Sequence, residues 1–580
     1  MAKAVRVNCS LLLQKESKTK FKISLRPIVM RRGALTLDAV VGVTQGGVAV
    51  AILSRLDVKP RPKTPQWSRF VVRCSAYKDR YVPPRVTKIR LGSYKTGILL
   101  LLSTAAALLT HGYHPYAEDA EIYLPGVQKI LNPSLFPVGQ EFFRSHASMT
   151  LFPNLVAFSL RVTHLPFEIG LFAWQVASIF LLLLACWQLS GLLFESARAR
   201  WGSVVLIAAL LTTPVAGTAL YIMDQYLNPR NLAAFASVFA VARILDKKYL
   251  RAIAWIAFAA CVHPLMWVFP FSFGALWLAI EQVERRTGWR IEGVGALGSL
   301  LFMAIPLAPS ASPAYHESAR MHAYFYIQDW QWYEWLGIFA PLLLLWWFAR
   351  IARARNKILL ARACRVIALY GLIYFLVALA VDLPGSFESL ARIQPLRSLH
   401  LLYMFLFVCI GGFLGEYVLK DRAWRWLALF IPLSIGMFLA QRSLFSGSAH
   451  IEWPGRAPKN PWAQAFVWIR ENTPTDAVFA IDPDYMRWPG EDAIGFRCLA
   501  QRSRLADTVK DGGVVSMFPP LADEWLQQVR AQNPWRNLQS ADFARLREKY
   551  GVTWVVVQQL GVDGLACPYQ NPAVRVCRVE

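Results

Sequence analysis

The chain has 580 residues, 55% of them apolar, with 22 Trp and a formal net charge of +25. That is too hydrophobic for an ordinary water-soluble enzyme and points to the membrane class. Residues 1–95 hold 21 Lys and Arg against four Asp and Glu, so most of the excess charge is confined to one segment and does not read as a nucleic-acid-binding surface.

That first segment, 1–95, reads as a basic, unstructured cytoplasmic arm that brushes anionic membrane lipid. Its run at 39–53 is broken by glycine and short for a span. Apolar runs then predict eleven transmembrane helices near 96–113, 167–194, 203–222, 231–245, 250–264, 265–281, 292–308, 335–349, 365–382, 398–416 and 424–441, since about 20 apolar residues cross ~30 Å of hydrocarbon. The expected class is therefore mainly α, a polytopic helical membrane protein with a transmembrane domain over 96–441.

The connections alternate in chemistry. One set is basic: "FESARARWG" (194–202), "LDKKYLR" (245–251), "EQVERRTGWR" (281–290), "ARIARARNKILLARACR" (349–365) and "LKDRAWR" (419–425). The other carries acids, His, Asn and aromatics, at 111–123, 223–231, 262–264, 316–335 and 382–397. Short basic loops stay in the cytoplasm, so the second set is expected on the outer face, together with a long first loop, 111–166. An odd number of spans puts the N-terminus inside and the C-terminus outside.

Residues 442–580 form the last unit. Helical periodicity at 460–474 precedes a strand at 476–481, and helix 541–551 precedes strand 552–560, which predicts a small extracytoplasmic α/β domain. Cys567 and Cys577 flank "PYQNPAVRV" and would close a disulfide loop in an oxidising compartment, leaving Cys498 as a free thiol. No CxxC or His-rich metal spacing occurs.

Five constellations carry candidate chemistry. His114, Glu118, Asp119 and Glu121 follow the first span. On a helix 114 and 118 share a face, as do 118 and 121, and crowded carboxylates suit proton abstraction or a divalent cation, with one of them able to hold a raised pKa. An acidic helix start explains them equally. Asp224, Asn228 and Arg230 offer a guanidinium fork for phosphate or carboxylate, or a plain Pro229 helix start. His263, before Pro264, breaks an apolar stretch and faces either a polar cavity or the core. Arg392 and Arg397 are positive charges on the expected outer side and call for an anionic partner, a lipid phosphate or the nearby Asp382 and Glu388. The aromatic run at 324–335 suits a carbohydrate surface or an interfacial belt.

The acidic motif "YAEDAEIY" (116–123), the odd span count and the C-terminal outer domain together resemble the multispanning glycosyltransferases of the GT-C superfamily. The similarity covers 96–580. It implies a bacterial inner-membrane enzyme whose donor is a polyprenyl-phosphate sugar, with the lipid among the spans. On that resemblance Asp119, or Glu118 beside it, would deprotonate the acceptor, and Arg230 and Arg397 would stabilise the departing phosphate. His263 would orient the donor, while Glu121 and Arg392 would line the substrate site. A transporter or lipid flippase is the alternative class and would place ionisable groups at mid-span. A non-catalytic assembly protein would instead pair its outer charges locally.

Overall fold

The structure is a computed structural model and describes residues 11–17, 20–25, 28–30, 33–44, 47–57, 94–287, 312–382, 392–558 and 561–580. It divides into two compact units, Met1–Pro83 and Pro84–Glu580. In the first, strands β1 (Leu11–Ser17), β2 (Lys20–Leu25), β3 (Ile28–Met30), β4 (Gly33–Thr44) and β5 (Gly47–Asp57) pair antiparallel, with β4 between β2 and β3 and also paired to β5. Over residues 11–57 this differs from the unstructured arm that composition suggests. The Val-rich run at 39–53, too short for a span, suits strands and falls in β4 and β5.

The second unit is mainly helical. Helix α1 (Tyr94–His111) leads into three short helices, α2 (Ala120–Leu131), α3 (Glu141–Ser148) and α4 (Phe152–Thr163). Then come α5 (Phe167–Leu193), α6 (Ala197–Ala209), α7 (Pro229–Leu245), α8 (Tyr249–Val262) and α9 (Val268–Thr287). After α10 (Pro313–Arg320) follow α11 (Trp332–Ala354), α12 (Ile358–Asp382), α13 (Leu399–Phe413) and α14 (Ala423–Leu444). Five helices are long and apolar enough to cross a membrane: α5, α11, α12, α14 and the continuous helical segment Pro395–Leu419 that contains α13. The other expected spans are helical too, except 203–222 and the run 292–308, which lies outside the described residues. The span expected at 203–222 is corrected: α6 stops at Ala209, because Pro214 removes a backbone donor and biases its predecessor away from helix.

Packing separates core from periphery. Every residue of α7 is buried, and nearly all of α13. Helix α14 faces outward with Trp424, Leu427, Ile431, Ile435 and Leu439 all exposed, a contiguous apolar surface that water does not favour and hydrocarbon does. Helices α6 and α13 cross closely: a Cβ on Gly202 would lie 2.2 Å from the Gly411 carbonyl oxygen, and one on Gly415 2.3 Å from that of Arg198. Gly411 and Gly415 are four apart, the small-residue spacing that lets helix backbones touch in a bilayer.

The two sets of connections lie at opposite ends of this bundle. Ion pairs chain the basic set together: Arg198–Asp421, Lys357–Glu416 (2.7 Å), Arg362–Glu284 (3.1 Å) and Lys247–Glu281 (3.5 Å). The other set meets elsewhere. The His114 amide donates to the Gln225 carbonyl (3.1 Å), His400 Nε2 lies 3.0 Å from the Ile222 carbonyl, and the Leu151 amide donates to the Cys261 carbonyl (2.7 Å). Helix α5 separates the ends, with Glu168 accepting from Tyr116 at one and Phe194 beside Gly412 at the other. Its 27 residues span roughly 40 Å at ~1.5 Å per residue.

The C-terminal residues build a mixed five-stranded sheet of order β7-β6-β8-β10-β9, from β6 (Val478–Ile481), β7 (Ser503–Arg504), β8 (Trp554–Gln558), β9 (Ala566–Gln570) and β10 (Val574–Arg578). Its helices are α15 (Pro461–Asn472), α16 (Phe496–Ala500), α17 (Lys510–Met517), α18 (Ala522–Ala531) and α19 (Ser540–Tyr550). The two helix-to-strand units expected from sequence are α15–β6 and α19–β8, and β6 and β8 pair in parallel with Phe479 opposite Trp554. Cys567 and Cys577 form the disulfide that their spacing suggests, and Cys498 is free and buried.

Candidate functional site

The segment 112–119 is not helical. Gly112 has φ +82° and Glu118 φ +55°, and helix α2 begins only at Ala120. His114 and Glu118 therefore do not share a helix face, which corrects the sequence expectation; Pro115 and the left-handed Gly112 keep the chain out of helix. The segment is strapped down by the chain after α14. The Tyr113 amide donates to the His450 carbonyl, and the Glu452 amide returns to the Tyr113 carbonyl (both 3.0 Å). His114 stacks on Phe445 with ring centroids 3.9 Å apart and sets Nδ1 3.3 Å from Glu452.

This turn aims its three acids in two directions. Asp119 accepts from Arg230 Nη1 at 2.7 Å and from Lys510 Nζ at 2.9 Å, while Glu118 shares the same Lys510 ammonium. Arg230 is placed by a conventional helix start: the Asn228 side chain caps α7 by accepting from the Asn231 amide (3.2 Å), and Pro229 occupies the first turn. Its second nitrogen donates to Asp224 at 3.1 Å. Thus the helix-start reading and the fork reading of this motif hold together.

Glu121 points away from the site. It is fully enclosed, 2.9 Å from Arg504 and 3.5 Å from Arg497, and accepts from the Cys498 amide at 3.2 Å. Asp507 and Asp511 complete this cluster, Asp511 receiving two donations from Arg497 at 2.8 and 2.9 Å. Placing Glu121 at a substrate site is therefore corrected: the structure makes it the anchor between the first loop and the C-terminal domain.

Burial alone would push the Asp119 carboxyl upward, but Lys510 and Arg230 outweigh it and hold it well below the usual carboxylate range. The same contacts hold the Lys510 ammonium above its ordinary range, against the opposing effect of burial. The raised pKa that crowding allows for one of the three carboxylates falls on Glu121, where burial outweighs Arg504 and Arg497, and not on Asp119.

Three further groups lie within electrostatic range of Asp119. His263 is buried, its Nδ1 accepting from the Leu265 and Met266 amides (3.2 and 3.3 Å), its Nε2 without a partner. It lies within electrostatic range of Arg397, Arg230, His146 and Asp119. Arg397 lines a small cleft with Thr218, Tyr324 and Gln394; among the described residues it makes no ion pair, and its Nε is buried without a partner. Arg397 is in turn within range of Arg230 and Asp119. His146, which sequence reading passed over, packs edge-on against Tyr123 and Phe518 and has a buried, unpartnered Nδ1. Burial holds its imidazole down at about 4, with a smaller opposing effect from Asp119 and a smaller reinforcing one from Arg397, so at neutral pH the ring is uncharged.

Asp119 and Arg230 are thus in direct contact, with His263 and Arg397 within electrostatic range of both. Glu118 sits at the edge, and Arg392 makes no ion pair among the described residues. Asp382, offered from sequence as a partner for these arginines, makes none either, and its Oδ1 is buried without a hydrogen-bond partner; Glu388 lies outside the described residues. The aromatic run divides: Trp332 and Tyr333 are exposed, Glu334 caps α11 with Gln331, and His322 clamps the Ser318 and Val509 carbonyls (3.0 and 3.3 Å). Those roles are structural. Among the described residues no group of three or more His, Cys, Asp or Glu side chains is placed to hold a metal ion. No protein-family model matches the chain, and no curated protein matches it either.

Proposed function

We propose that this chain is a membrane glycosyltransferase that moves a sugar from a polyprenyl-phosphate donor to an acceptor hydroxyl at the extracytoplasmic face. The bundle would cross the bilayer with the basic connections inside. One observation carries the reading: a carboxylate, Asp119, lies between two cations, Arg230 and Lys510, and a third cation, Arg397, which makes no ion pair among the described residues, is within its electrostatic range, as are His263 and His146. That arrangement suits a phosphate on one side and a hydroxyl on the other.

In the transfer step the acceptor oxygen attacks the anomeric carbon while the bond from that carbon to the phosphate oxygen breaks. The hydroxyl proton passes to Asp119, and the lipid leaves as its phosphate. The phosphate goes from one negative charge to two as it departs, and Arg397 and Arg230 answer that developing charge. In the resting protein Asp119 is a weak base, because Arg230 and Lys510 hold it ionised. An arriving phosphate competes for those cations and returns basicity to Asp119, so donor binding arms the base. His263 and His146, neutral and with free ring nitrogens, orient the phosphate oxygens.

The test uses the full chain in proteoliposomes with a radiolabelled polyprenyl-phosphate sugar and membrane-extracted acceptors. Label should move to acceptor, and Asp119→Asn should lower the rate about 10²–10⁴-fold at unchanged membrane expression. Full activity in that variant refutes the assignment. Donor or sugar crossing the vesicle without a covalent product supports a carrier instead.

A further inference from the structure

The basic end of the bundle carries a second feature that the transfer site does not use. Where α6 and α14 begin, an open-sided cavity of about 450 Å³ is walled by Trp201, Trp426 and Leu427 and rimmed by Arg198, Lys420 and Asp421. Its floor is aromatic and aliphatic, and its mouth is charged. Trp426 is fixed, its Nε1 donating to the Lys420 carbonyl at 3.0 Å, and Trp201 is backed by Trp187 with ring centroids 4.5 Å apart. The turn that forms the rim is held open by Lys420 itself, whose φ is +52°.

Position and charge say what fits. Trp424 and Leu427 are exposed on the outward face of α14, the least buried of the five helices long and apolar enough to cross a membrane. The cavity therefore sits at the level where that face meets its charged connection, the boundary of hydrocarbon and headgroup. Around it, residues 195–201 and 420–425 carry Arg198, Arg200, Lys420, Arg422 and Arg425 against Glu195 and Asp421. Arg198 is paired with Asp421, but Lys420 and Arg422 are exposed and make no ion pair among the described residues. A molecule with an acyl chain below and a negative headgroup above satisfies both surfaces; a zwitterionic headgroup satisfies only the lower one.

We propose that this cavity is a binding site for one anionic phospholipid, its phosphate held at Lys420 and Arg198 and its chain lying against Trp201, Trp426 and Leu427. The site is independent of the transfer chemistry assigned to the other end.

Native mass spectrometry of the full-length protein, equilibrated with phosphatidylglycerol or phosphatidylcholine of identical chains, reads it directly. One phosphatidylglycerol should be retained in preference to phosphatidylcholine. Lys420→Gln should cut that preference about fivefold, the worth of one basic side chain at an anionic lipid surface. Trp426→Leu, which leaves the charges in place, should shorten retention of both lipids. Arg545→Gln, on exposed α19, should change neither and reports on folding and handling. Equal retention of the two lipids in the wild type, or a preference untouched by Lys420→Gln and Trp426→Leu alike, overturns the site.

Discussion

Arg230 holds Asp119 at 2.7 Å across 111 positions of sequence, and with its other nitrogen it holds Asp224 at 3.1 Å. One planar guanidinium thus ties the first loop to the start of the most deeply buried helix. Lysine offers a single point charge and cannot make both contacts at that geometry. Arg230→Lys should cost about 1.5–3 kcal/mol in thermal unfolding, the worth of a hydrogen bond to a charged group, and should lower sugar transfer at least about tenfold. Unchanged melting and unchanged turnover together would show that the fork is idle.

Lys510 is the second cation on Asp119, and it comes from the C-terminal domain. Because the Asp119 carboxyl titrates below an unfolded aspartate, its contribution to stability is complete above pH ~4 and declines as the pH falls below that. Lys510→Gln removes one of the two charges that depress it, so the acid limb of transfer activity should move to higher pH. A pH–rate profile measured on both proteins decides this. An acid limb that stays put, or moves to lower pH, contradicts the role given to Lys510.

Arg504 is fully buried among Glu121, Asp507 and Asp511, and those carboxylates keep its guanidinium charged despite burial. Arg504→Met leaves three enclosed carboxylates with Arg497 alone. Removing one partner from such a cluster costs about 3–5 kcal/mol. The variant should unfold early in a thermal scan and should lose the docking of 111–151, seen as faster proteolysis there. A melting temperature close to wild type would show that the cluster does not anchor the domain.

The Cys567–Cys577 bridge closes a short loop between β9 and β10. Loss of such a bridge costs about 2–3 kcal/mol by the chain-entropy argument. Alkylation of the native protein should mark neither cysteine until it is reduced, whereas the exposed Cys261 should react at once. Labelling of Cys567 and Cys577 before reduction would contradict the bond.

What the sequence revealed depended on range. The alternation of basic and polar connections is a local pattern, and the ion pairs Arg198–Asp421 and Arg362–Glu284 gather its basic half as charge bias suggests. Helix–strand periodicity at 460–481 and 541–560 was legible for the same reason. Lys510, His146 and Arg504 were not, since each acquires its meaning from a partner far along the chain. Lys510 lies 391 positions from Asp119, and no spacing rule reaches so far. Helical spacing over 114–121 groups Glu121 with the other acids, whereas the left-handed turn at Glu118 divides them between two destinations. The span at 203–222 failed at Pro214, where apolar composition outweighed a breaker that the backbone could not ignore.

Sidedness is the claim on which the reading rests, and impermeant thiol labelling in intact cells tests it most directly. With Cys9, Cys74 and Cys261 replaced by serine, single cysteines are introduced at exposed Lys459, in the C-terminal domain that supplies Lys510, and at exposed Arg353, in a basic connection. Lys459→Cys should be labelled from outside and Arg353→Cys only after the membrane is opened. The reverse pattern, or labelling of both from one side, would contradict an Asp119 site that works at the outer face.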